Sequence, residues 1–146
     1  MKKINARLLI FLTFFILVSF INPSYYSEND VLGIYLAPNK KSKIKFVKKD
    51  GVYYGILVWN MNSEIKDKFN TNEKLRNKNL IGQAIFKSFK YNKYEHSWTG
   101  YFYDAESGTT YDCELWLENA KKHLMTRGYI NTPIIGRTEM LKRILN

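Results

Sequence analysis

A single cysteine among 146 residues leaves no partner for a disulfide within the chain. Proline, at 3, and glycine, at 8, are too few for a fibrous repeat. Histidine occurs twice, as His96 and His123, and neither stands at a metal-ligand spacing from Cys113 or a carboxylate cluster. Acids are the scarce charge, 13 against 23 Lys and Arg, for a formal net charge of +10. No G-x-S-x-G, H-E-x-x-H or phosphate-loop pattern occurs, so the chain offers no catalytic constellation and no cofactor motif. What remains is an ordinary globular balance, 45% hydrophobic and 25% charged, which excludes wholesale disorder. The length suits one domain. Aromatics are plentiful: 3 Trp, 11 Tyr and 9 Phe.

The N-terminus differs from the rest. Lys2, Lys3 and Arg7 precede Leu8–Ile21, in which only Thr13 and Ser19 are polar. A basic start, a short apolar run and a polar stretch with Pro23 read as a secretory signal peptide over residues 1–24, cleaved between 22 and 30. The alternative is an uncleaved anchor, but a bilayer span takes about 20 apolar residues. No cysteine follows the run, which argues against a lipidated N-terminus. The expected location is therefore secreted or periplasmic. Without residues 1–24 the chain keeps 20 basic and 13 acidic residues, a net +7. That charge suits an acidic partner, including peripheral contact with an anionic membrane surface; its plainer reading is solubilising lysine.

Residues 25–146 form the expected domain. After residue 30 no helical stripe appears; short β-rich runs alternate with turn signals. The expected strands are 31–36, 43–48, 52–59, 80–90, 97–103, 109–118, 124–130 and 134–144. Asp50-Gly51 marks a hairpin turn, since both residues tolerate positive φ. The run 52–59 is apolar on both faces, as a strand buried on both sides or lining a cavity would be. In 109–118, Tyr111, Cys113, Leu115 and Leu117 share one face, with Asp112, Glu114, Trp116 and Glu118 opposite. Residues 60–79, rich in Asn and charge, interrupt the rhythm as a long loop, either a lid or a disordered insertion, with a short helix near 71–76. The last segment is ambiguous, because Thr138–Leu145 contains good helix formers. Eight strands with short turns predict an all-β, antiparallel up-and-down barrel, the strand number that holds side chains or one small ligand.

Gly33-Ile34-Tyr35 opens the first strand. It is similar to the Gly-x-Trp of lipocalin-type barrels, in which a late basic residue covers the ring; here Arg143 or Arg137 would do so. A guanidinium on an aromatic face contributes about 0.5–2 kcal/mol. Further blocks follow in order: Tyr54-Gly55-Ile56 with Val58-Trp59, Leu75 to Gly82, Trp98-Thr99-Gly100, Tyr103-Asp104 with Gly108 and Tyr111, Arg127 to Ile130, and Gly136-Arg137-Thr138. With these blocks the chain resembles, from Gly33 to about Arg143, a family of small secreted bacterial proteins known as a domain of unknown function. The chain departs from the family pattern at Tyr35 and Leu141, where the family has Trp, and at Ala105, where it has Pro. The resemblance implies a lipocalin-like (calycin) barrel and secretion, and no reaction.

Trp98, Tyr103 and Tyr111 suit an apolar cavity with hydroxyl handles, or plain core packing. Arg127 lies mid-strand between apolar residues. If it points inward it needs a carboxylate, a carbonyl or a ligand anion. With Tyr35, Tyr54 and Tyr129 these are the candidate ligand-binding residues. Cys113 reads as a buried small hydrophobe. Asp104 and Glu106 pair in a turn, where Asp serves the backbone. Gly100 and Gly128 lie inside strands, and added side chains there are expected to overpack. The expected partner is a small apolar or amphipathic molecule. Nucleic acid is not expected, since export separates the chain from it and an oligonucleotide-binding barrel has five strands. The competing reading is a filled barrel making contacts through its outer surface, loop 60–79 and Trp116.

Overall fold

The computed structural model describes residues 26–144. The expected signal helix, within 1–24, lies outside the described residues. Eight strands follow in chain order: β1 (Gly33–Leu36), β2 (Ser42–Lys49), β3 (Val52–Asn60), β4 (Ala84–Asn92), β5 (Ser97–Asp104), β6 (Thr109–Glu118), β7 (His123–Tyr129) and β8 (Gly136–Arg143). Each pairs antiparallel with its neighbour in sequence, and β1 pairs with β8 to close the barrel. Closure removes the exposed sheet edges.

Turn chemistry sets the register. Asp50 and Gly51 both have positive φ, 51° and 77°, as a two-residue hairpin connection needs. In β4, Ser88 takes φ 57° where the pairing with β5 slips between Lys87 and Lys90. That bulge turns both Phe86 and Phe89 into the core. Three boundaries differ from the expected ones. Residues 28–31 form turns, so β1 starts at Gly33. Gln83 N donates to Leu80 O at 2.9 Å, so 80–83 is a turn and β4 starts at Ala84. Ile134 and Ile135 belong to the β7–β8 loop. The helix formers after Arg137 stay in β8, because Leu141 buried opposite Leu124 and six further register pairs with β7 fix the extended form.

Inward positions alternate along each strand. Tyr35, Phe46, Phe86, Phe89, Trp98, Leu115, Leu124 and Leu141 form one buried cluster. Ring pairs run across it: Tyr35–Phe46 at 5.6 Å, Phe46–Phe86 at 5.3 Å and Phe86–Phe102 at 4.9 Å. Such pairs contribute about 0.5–1.5 kcal/mol each beyond area burial. The barrel is thus filled over much of its depth. In β3 only Tyr53, Gly55 and Leu57 are buried, while its other face is partly exposed, so the strand is one-sided.

Residues 26–32 cross one end of the barrel as a strap. Val31 is fully buried there. Trp98 Nε1 donates to Glu28 O at 3.2 Å, Tyr91 Oη to Tyr26 O at 2.6 Å and Tyr35 Oη to Val31 O at 2.9 Å. Arg143 completes the closure. Its guanidinium stacks 4.7 Å from the centre of the Tyr35 ring and donates to Leu32 O at 2.7 Å, to Asp30 O and to Tyr35 Oη. A Cβ on Gly33, which has φ 143°, would run into that guanidinium. The cation over the first-strand ring is therefore Arg143, and the glycine of the opening motif makes room for it.

Residues 61–83 form a structured flap. Asp67 N donates to Lys78 O at 3.1 Å and Leu80 N to Ile65 O at 2.9 Å, with a bridge between Lys66 and Asn79. A single 3-10 turn, Glu73–Leu75, capped by the Asn72 side chain, stands where a short helix was expected. The flap packs on the outside of β5, where Tyr103 Oη donates to Asp67 Oδ1 at 2.5 Å.

Candidate functional site

At the end away from the strap, the β5–β6 and β7–β8 connections diverge around a cleft of about 370 Å³. Its lining includes Asp104, Tyr111, Gly128, Ile130, Ile135 and Arg137. Alternation places Tyr111 on the inward face of β6 with Cys113, Leu115 and Leu117. Gly128 falls on the inward face of β7 with Leu124 and Thr126. Opposite it on β8 stands Arg137, in the inward series with Glu139 and Leu141. Gly128 has no side chain, and a Cβ there would meet only Tyr111 Cβ, at 3.8 Å. The cleft is the space that this glycine leaves beside Tyr111.

The polar groups at the mouth are of two kinds. The Asp104 carboxylate serves its own turn, accepting from Glu106 N at 2.9 Å and Ser107 Oγ at 2.8 Å. It organises the rim of the cleft that it helps to line. The Arg137 guanidinium pairs with Glu139 at 2.8 Å but is 87% exposed, so it stays open to an anion. The Tyr111 hydroxyl, half-buried, has no hydrogen-bond partner among the described residues. An apolar wall of Ile130 and Ile135, one hydroxyl and one cation together suit an amphipathic molecule.

Arg127 is a correction. Thr126 and Gly128 take the inward face of β7, so Arg127 points outward. It donates Nε to Pro133 O at 2.7 Å, Nη1 to Thr138 Oγ1 at 2.7 Å and Nη2 to Ile134 O at 3.2 Å. The fork is occupied by the β7–β8 loop and holds that rim in place. It needs no carboxylate because it is not buried alone.

The other candidates disperse. Tyr35 is fully buried at the strap end, its hydroxyl bonded to Val31 O, and burial drives its pKa well above the tyrosine range. Trp98 is fully buried against the strap. Tyr54 lies on the outer face of β3, between inward Tyr53 and Gly55. Tyr103 is outward on β5, covered by the flap. Burial and the Asp67 carboxylate push its pKa up to about 12. Tyr129 borders both the cleft and a shallow outer hollow with Tyr101 and Asp112. Tyr111 alone of the seven faces the cleft from inside. In the sequence Arg137 stands out as a candidate cover for the first-strand ring and within the Gly136-Arg137-Thr138 block, not as a ligand contact. Its signal was its place in the same alternating series as Leu141.

Cys113 is buried inside the barrel, and desolvation pushes its thiol up to about 12. That leaves a thiol and not a nucleophile. Among the described residues no group of three or more His, Cys, Asp or Glu is placed to hold a metal.

Comparison with known proteins fits this architecture. No curated protein matches the chain. A solved structure, protein HP1028 from the human pathogen Helicobacter pylori, described as belonging to the lipocalin family, superimposes with a TM-score of 0.69. The two share 24% identity over 80% of this chain and 84% of that one, a likeness that shows the fold. Residues 33–143 match the family described as "Uncharacterized protein conserved in bacteria (DUF2147)". The chain, an eight-stranded lipocalin-like barrel, therefore belongs to the bacterial family DUF2147.

Proposed function

We propose that the protein binds a small amphipathic molecule at the open end of its barrel, outside the cytoplasm, and catalyses no reaction on it. The observation that carries this reading is the cleft of about 370 Å³ beside Gly128 in a barrel otherwise packed with aromatic rings. Ligand sites run from about 300 to 1,000 Å³. The volume therefore suits a single ring system or short chain, and not a long fatty acid. The ligand's apolar part would lie against Ile130, Ile135 and Tyr111. Its polar end would meet the Arg137 guanidinium or the Tyr111 hydroxyl.

Export rests on the N-terminal run and would be read as a mature N-terminus between residues 22 and 30. The binding test fills the cleft. Gly128→Leu should abolish binding of a fluorescent naphthalene sulfonate probe, while Arg137→Gln should weaken this anion more than a neutral analogue. Probe binding unchanged in Gly128→Leu would remove the cleft from the function. A second reading, a module working through its outer surface, draws on the filled interior around Phe46, Phe86 and Phe102. Native mass spectrometry of protein from its own host separates the two, because only the first predicts a copurified small molecule.

A further inference from the structure

We infer that the outer wall formed by β1, β2 and β3 docks on an anionic lipid surface. The inference rests on charge placement and is independent of the cleft. Residues 31–63 contain six lysines and one acid, Asp50. Ile44 and Phe46 are buried inside, so Lys43, Lys45 and Lys49 fall on the outer face of β2. Lys142 joins them from β8, paired with Leu36. Among the described residues none of these four lysines is in an ion pair.

The opposite wall has the opposite sign. In a closed ring of eight strands β6 lies across the barrel from β2. Its outer face carries Asp112, Glu114 and Glu118. The molecule is thus a dipole with its positive side on β2. A negatively charged plane would orient it with that side inward.

Charge alone would suit any polyanion; the residues between the lysines select a lipid surface. The register places Lys45 between Ile34 and Ile56, and Lys43 between Leu36 and Trp59. Lys43 Nζ lies 5.1 Å from the centre of the Trp59 ring. Toward the open end this wall leaves Val58 38%, Trp59 40% and Met61 67% exposed. A soluble polyanion gives these side chains nothing. A membrane interface accepts an aromatic ring and aliphatic groups while lysine stems extend their ammonium groups to the headgroups.

The test uses the full chain carrying Trp116→Phe, so that Trp59 and the buried Trp98 supply the emission. Contact of the wall itself is read by quenching with brominated lipids. Trp59 should be quenched in vesicles of brominated phosphatidylglycerol and not in brominated phosphatidylcholine, and Trp59→Phe should remove the quenched part. Lys43→Gln, Lys45→Gln and Lys49→Gln together should raise the lipid concentration for half-maximal quenching on the order of 100-fold, each lysine near an anionic surface acting independently. Lys68→Gln, Lys74→Gln and Lys93→Gln, elsewhere on the surface, should leave it nearly unchanged. Equal quenching by the neutral lipid, or equal loss in both lysine triples, would overturn the inference. So would a soluble polyphosphate that shifts Trp59 emission while no lipid quenches it, since the partner would then be a polyanion.

Discussion

Gly100 and Gly128 share a description in the sequence and differ in their surroundings. A Cβ on Gly100 would meet the Phe89 ring at 2.7 Å and the Lys87 carbonyl at 2.8 Å. Gly100→Ala is therefore expected to cost on the order of 1–3 kcal/mol through overpacking, read from the denaturant midpoint. The same cost was expected at Gly128, where the structure leaves room beside Tyr111. Gly128→Val should stay within about 0.5 kcal/mol of the parent, since a β-branched residue suits a strand and its Cβ would make only an ordinary contact with Tyr111 Cβ. A large loss of stability there would mean that the cleft is closed. Sequence marks a strand glycine but not its neighbour across the sheet, and the neighbour decides. Cys113 gives a second residue-scale outcome. With its thiol raised to about 12 by burial, it should react with an aromatic disulfide reagent at pH 8 only as fast as the protein unfolds. Stoichiometric labelling of folded protein within minutes would contradict this.

Between residues and the barrel stand two connections that the sequence described poorly, for different reasons. On β7, the pairing of Arg127 with Tyr129 on one face was legible; which face was inward was not, because the strand offers only Leu124, Thr126 and Gly128 as core markers. Arg127→Met should free the β7–β8 loop, raising amide exchange over residues 130–135 and lowering stability by about 1–2 kcal/mol. The naphthalene sulfonate and its neutral analogue should weaken equally, because the loss is of the rim and not of a charge contact. A selective loss of the sulfonate would instead make Arg127 a direct contact for a ligand anion. The flap was illegible because its order is local and polar. Asn62, Asn70, Asn72 and Asn79 each accept a backbone N–H two residues on, a pattern that in sequence looks like a solvated loop. Its attachment through Tyr103 and Asp67 is long-range. Tyr103 is raised from 10.0 to about 12 by burial and the Asp67 bond. Its contribution is therefore complete below pH 10 and lost as pH climbs from 10 to about 12. The Tm difference between the parent and Tyr103→Phe should shrink over that interval. A constant difference would detach the flap from this hydroxyl.

For the whole molecule, alternation, turn residues and strand count carried the reading from composition to a closed barrel, and Gly33, Tyr35 and Arg143 marked where the ring is sealed. The strap was not legible, because it is held by main-chain carbonyls. Glu28, Val31 and Leu32 accept through backbone oxygens from Trp98, Tyr35 and Arg143, and any residue offers that oxygen. Strap side chains add to this: Glu28 accepts from Lys48 Nζ at 2.8 Å, Asn29 from Tyr53 Oη at 3.3 Å, and the least exposed acid of them, Asp30, from Lys121 Nζ at 2.8 Å and from Ser27 N at 2.7 Å. Burial alone would raise its pKa, but these donors together hold it below the ordinary value of 3.8. A carboxyl lowered in the folded state stabilises fully above its unfolded pKa and loses that contribution as pH falls through the folded one. The strap should therefore loosen only below about pH 4, ahead of the barrel, whose core has no buried acid to protonate at that end. Trp98 reports the event, since its ring is fully buried and its Nε1 bonds to Glu28 O. Acid titration is expected to red-shift Trp98 emission before far-UV circular dichroism changes, and Asp30→Asn should show that shift already at neutral pH. Coincident loss of both signals, with Asp30→Asn behaving as the parent, would show that strap and barrel open as one unit.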